Sequence, residues 1–104
     1  MRAEKRMLDA HSVLIELART HNIVSNLNRY YKSLNGTLSY PYDEKMEYAY
    51  EQVAESTLEI IRNLGFAQEE DFAMVDAEST LAEGVNYPRI EIIEKAFAWG
   101  EVEP

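Results

Sequence analysis

The 104-residue sequence contains no cysteine, which excludes disulfides, thiolate-held zinc, thiol nucleophiles and cysteine-ligated iron–sulfur clusters. Glycine is scarce, at four residues, and no two glycines stand close enough to form a phosphate-cradling loop or the Gly-x-Ser-x-Gly turn of a catalytic serine. No Glu-x-x-His pair occurs, so the ligand spacing of di-iron and di-manganese bundles is missing. His11 and His21 lie about 15 Å apart along a continuous helix, too far to share a metal within one subunit. His21 falls on an apolar seam, where a hydrogen-bonded structural histidine is the simpler reading. No cofactor is expected.

Long apolar runs are missing as well, and none approaches the ~18 residues of a membrane span. The basic opening Met1-Arg2-Ala3-Glu4-Lys5-Arg6 resembles the start of a leader, but Asp9, His11 and Ser12 interrupt the apolar stretch that should follow. The expectation is one soluble, cytoplasmic domain spanning residues 1–104, since 46% apolar and 28% charged residues suit a folded chain.

Positive charge is in short supply, and the net charge is −9. Residues 1–36 hold six basic and three acidic side chains, whereas residues 37–104 hold four basic and sixteen acidic ones. A field of that sign repels phosphate backbones and anionic membranes, so direct nucleic-acid or membrane binding is not expected and a charge-steered partner should be basic.

Each glycine follows an apolar-periodic run, at Gly36, Gly65, Gly84 and Gly100, as glycines that end helices do. Pro41 and Pro88 follow the first and third, at positions that suit a first helical turn. This punctuation predicts an all-α four-helix bundle, with two long helices near 3–34 and 42–64 and two short ones near 68–83 and 88–99. Met46, Tyr50, Val53, Thr57, Ile60, Ile61 and Leu64 recur at three and four residues as a core face of the second helix. The third segment carries only thin stripes. Arg89-Ile90-Glu91-Ile92-Ile93 also suits a short strand, but with no convincing partner strand the helix is preferred.

The first helix carries a seam through Met7, Ala10, Leu14, Leu17, His21, Val24 and Tyr31, and a second apolar line through Leu8, Ile15, Ile23 and Tyr30. A helix apolar on two sides is central in its bundle or shared with another chain, so these four residues are the expected interface of a homodimer. The stretch Thr20 to Asn26 has poor helix propensity and is read as a site for a kink or break.

Opposite the apolar stripe of the second helix stand Glu44, Glu47, Tyr48, Glu51, Glu55 and Glu59. Acids four residues apart repel by a few tenths of a kcal/mol per pair, so local stability did not select them. A solvated, solubilising face is the plain reading. The sharper one is that Glu44, Glu47, Tyr48, Glu51 and Glu55 form a docking surface for a basic protein. Tyrosine supplies large contact area at small entropic cost, and six of the seven tyrosines fall between residues 30 and 50. The function expected is therefore non-catalytic: an acidic interaction protein that binds and inhibits a basic partner, by analogy of size and charge with phage and mobile-element inhibitors and nucleic-acid mimics. The alternatives are a structural homo-oligomer and a carboxylate–magnesium enzyme like the all-helical nucleotide pyrophosphohydrolases. Against the enzyme, Glu69-Glu70 is followed by Ala73 where a third acid should stand, and no Glu-x-x-Asp pair occurs.

Overall fold

The computed structural model describes residues 2–34 and 42–93, with side chains described from residue 10 onward. Two helices, α1 (Arg2–Ser33) and α2 (Glu44–Asn63), are followed by two strands, β1 (Phe72–Glu78) and β2 (Asn86–Ile92). The strands form one antiparallel hairpin. The arrangement is α+β.

Both long helices arise where 3.6-residue periodicity is strongest. On α1, Leu14, Ala18, His21, Ser25 and Asn28 are buried at intervals of three and four. Asp43 caps α2, its carboxylate accepting the Met46 N–H at 3.0 Å, which satisfies one amide that the first turn leaves free. Thr57 and Ile61 are the buried residues of α2. The helix ends at Leu64, and Gly65 follows at φ +101°, a conformation glycine adopts without steric cost. Leu14, Ala18, Ile61, Phe72 and Ile90 make the core, with Leu58, Phe66, Met74 and Ile92 packed around them.

The hairpin overturns the four-helix bundle. The segment expected as a helix at 68–83 contains β1 and its turns, and the one expected at 88–99 begins with β2. Residues 94–99 lie outside those described. The partner strand that Arg89 to Ile93 lacked is Phe72–Glu78 itself, in a register that pairs Met74 with Ile90 and Asp76 with Pro88. On the strand Phe72 and Met74 share one face and Val75 and Ala77 the other, which is why helical spacing found only thin stripes there. Gly84, at φ +80°, serves the loop between the strands and ends no helix; Gly36, Gly100 and Pro41 lie outside the described residues. Pro88 starts no helix either. It occupies a position whose backbone looks away from β1, where a missing N–H breaks no ladder bond.

The low-propensity stretch of α1 is continuous helix, and tertiary bonds account for its polar residues. Asn22 Nδ2 donates to the Ile90 carbonyl at 2.9 Å, and the Ile90 N–H donates to Asn22 Oδ1 at 2.7 Å. One side-chain amide thus does for the β2 edge what a neighbouring strand would do. One turn on, Asn26 accepts from Ser79 Oγ at 2.6 Å and donates to Thr80 Oγ1 at 3.2 Å. Arg29 donates to the Asn86 carbonyl at 3.2 Å.

Removing the Asn22 amide leaves the Ile90 backbone pair without its partner. Asn22→Ala should therefore lower the unfolding free energy by about 1–3 kcal/mol, read from urea midpoints at an unchanged m-value. Ile61→Ala, a core truncation, should cost about 2–5 kcal/mol by the same measurement.

Candidate functional site

Five residues were expected to form the docking face, and four of them point to solvent. Glu44, Tyr48, Glu51 and Glu55 are exposed, Tyr48 at 63%. Glu47 instead turns toward α1, where the Lys32 ammonium lies 2.8 Å from its carboxylate. Basic side chains of α1 do not neutralise the rest of the ridge among the described residues: Arg19 pairs with Glu16 at 3.4 Å and Arg29 reaches the Asn86 carbonyl.

The ridge borders a cavity of about 240 Å³ between the helices and the hairpin. Glu51 and Glu55 stand on its α2 side, while α1 lines it with His21, Ser25, Asn28 and Arg29. Tyr50, Ala54 and Leu58 complete the α2 wall, and Met74 and Pro88 of the two strands close it. Four elements meet here, which is why no single stretch of sequence announces the cavity. The clue that local reading offered was polarity on a buried seam, at His21, Ser25 and Asn28.

The chemistry of the cavity follows from the strand. Because the Ile90 N–H and carbonyl fix which end of the Asn22 amide is oxygen, Oδ1 faces His21 Nδ1 at 3.0 Å as an acceptor. The Nδ1 atom must therefore carry the proton. Burial lowers the His21 pKa from its usual 6.5, opposed by the bond to Asn22, so the ring is neutral at pH 7 and Nε2 keeps a lone pair. Two carboxylates, Glu51 and Glu55, and one guanidinium, Arg29, stand around the cavity, so the charged side chains of its wall sum to one negative charge.

Next to it four of the tyrosines between residues 30 and 50 gather. Tyr31, Tyr42 and Tyr50 contact one another with ring centroids 6.1–6.2 Å apart, and Tyr30 stacks beside Tyr31 at 5.7 Å. Tyr42 is buried, its hydroxyl donates to Asn28 Oδ1, and burial, with nearby Tyr50 and Glu47, raises its pKa to about 12. These rings fix the corner where α1 and α2 meet, whereas Tyr48 has no such packing role. Tyr40 lies outside the described residues.

Of the expected dimer residues, Ile23 is 52% exposed and Ile15 and Tyr30 are half-buried. Ile15 and Ile23 flank an open groove beside β2 that also carries Arg19, Arg89 and Glu91. The side chain of Leu8 lies outside those described. Among the described residues no three His, Asp or Glu side chains converge on a metal position, and no described helix is long and apolar enough to cross a membrane.

His21 makes stability depend on pH in a defined direction. Unfolded, it titrates near 6.5; folded, it binds a proton only at lower pH, so between those values the unfolded chain holds more protons and stability falls as pH drops below about 6.5. His21→Gln should flatten the decline in urea midpoint between about pH 7.5 and 5.5, and parallel slopes for the two proteins would contradict the assignment. No protein-family model matches the chain, and comparison with curated proteins and with solved structures returns no match.

Proposed function

We propose that the protein is a non-catalytic, cytoplasmic interaction protein whose acidic α2 face binds a basic protein and inhibits it. The observation that carries this reading is the pairing of an acidic ridge, exposed at Glu44, Glu51 and Glu55, with an adjoining cavity whose lining joins two carboxylates and His21 to a single guanidinium, Arg29. Glu51 and Glu55 belong to both surfaces. A lysine or arginine side chain of the partner would place its charge between those carboxylates and find the lone pair of His21 beneath. Tyr48, exposed on the same helix, supplies the apolar contact that tyrosine typically provides at the centre of an interface. A face made only for solubility needs no cavity and no exposed aromatic ring.

The test is capture of the partner from the native host after nuclease treatment, followed by binding kinetics. Reversing Glu51 and Glu55 to lysine should leave folding intact, since both are exposed. It should slow association roughly tenfold at low salt, with the difference shrinking as salt screens the field. Tyr48→Ala should instead speed dissociation by roughly tenfold. Unchanged rates for the charge-reversed protein at low salt would reduce the ridge to a solvated face.

A further inference from the structure

The hairpin covers only one side of the helix pair. On that side α1 presents Asn22, Asn26 and Arg29 to the strands and their loop, and α2 presents Ala54 and Leu58 beside Met74 and Pro88. Among the described residues no element covers the opposite side, which is apolar. There Met46, Val53, Ile60 and Leu64 of α2 are 42%, 46%, 45% and 49% exposed, although their spacing marks them as core. Alongside them run Val13, 42% exposed, and the half-buried Leu17 and Val24 of α1.

We infer that this face is covered by a second copy of the chain, so that two helix pairs close into an intermolecular four-helix bundle with the hairpins outside. Charge points to a second copy. Among the residues whose side chains are described, Thr20 on α1 and Ala49 and Ser56 on α2 share these flanks and are uncharged, and the charges beside them are one of each sign, Lys45 and Glu16. Glu16, at the border, is paired with Arg19 at 3.4 Å. In a chain that is 28% charged with a net charge of −9, a basic partner finds no acidic cluster among the described side chains of this face. A second copy brings the same charge-poor surface and keeps both acidic ridges turned away. A two-fold axis makes one patch complementary to itself.

Area agrees. Two helices packed ~10 Å apart over the ~30 Å length of α2 offer roughly 600 Å² per copy, hence about 1,200 Å² in all, the lower bound for a specific interface. The groove holding Ile15 and Ile23 is interrupted by Arg19, Arg89 and Glu91, so the interface is assigned to the helix-pair face rather than to the line through Leu8, Ile15, Ile23 and Tyr30.

Sedimentation or light scattering at tens of micromolar should give twice the 12.0 kDa chain mass. Raised salt should tighten the association, because it screens like charges, whereas salt weakens capture of a basic partner. Val53→Arg and Ile60→Arg should each weaken self-association at least tenfold while keeping the helical circular dichroism and partner binding of the parent. If either arginine variant loses helix, Val53→Ser and Ile60→Gln replace it with the same expectation. A monomeric parent protein overturns the inference, as does an unchanged dimer in a folded variant, or an Ile23→Arg variant that dissociates while Val53→Arg does not. None of these outcomes bears on the acidic face, whose failure would appear as partner rates insensitive to Glu51 and Glu55.

Discussion

Two hydrogen bonds between the Asn22 side chain and the backbone of Ile90 join parts of the chain 68 residues apart, and most of what is distinctive here depends on them. A helix side chain that satisfies both polar groups of a strand residue fixes the position of the strand along the helix axis as well as its distance. Apolar contacts alone permit sliding, because burial is non-directional. With Ile90 held, Phe72 and Met74 come onto Leu14, Ala18 and Ile61 through the hairpin register. The same amide sets the tautomer of His21 and thereby the character of the adjoining cavity. One polar residue in a helix thus links sheet placement, core formation and site chemistry.

How much of this was legible in the sequence depended on range. The helices were readable because caps, glycine punctuation and periodicity are local properties of a few turns. β1 was not, since Phe72, Ala73, Met74, Val75 and Ala77 put apolar side chains on both faces and hide the two-residue alternation. β2 does alternate at Arg89, Ile90, Glu91 and Ile92, but a strand needs a partner, and nothing near it in sequence suggested Phe72–Glu78. The decisive residue, Asn22, looked like a weak spot in a helix because its reward is tertiary.

The candidate site divides in the same way. Exposure of Glu44, Tyr48, Glu51 and Glu55 follows from helical phase and was readable. That Glu47 would turn inward to Lys32 was not, because the apolar arc of α2 is wider than the face its own chain covers. Periodicity gathers Met46, Val53, Ile60, Ile61 and Leu64 on one broad side, yet only the part around Ile61 is buried. A broad arc says that burial is wanted without saying by whom. The cavity was beyond local reading altogether, because α1, α2, β1 and β2 each supply part of its wall.

The position of Pro88 has a consequence for how the sheet ends. A two-stranded hairpin has two open edges, and an open edge is a template for further strands and for aggregation. On β2 the edge is closed chemically: Pro88 offers no donor, Ile90 is already engaged at both polar groups, and the Asn86 carbonyl is taken by Arg29. On β1 the carbonyl of Phe72 accepts the Glu69 N–H at 2.7 Å within a turn, and the exposed Asp76 and Glu78 follow along the same strand. Their carboxylates are engaged within the hairpin, Asp76 by Asn86 Nδ2 at 3.1 Å and Glu78 by the Gly84 N–H at 3.0 Å, and they add negative charge to this strand. Among the described residues the sheet holds two strands, and an edge with its donors missing or engaged is a poor template for another.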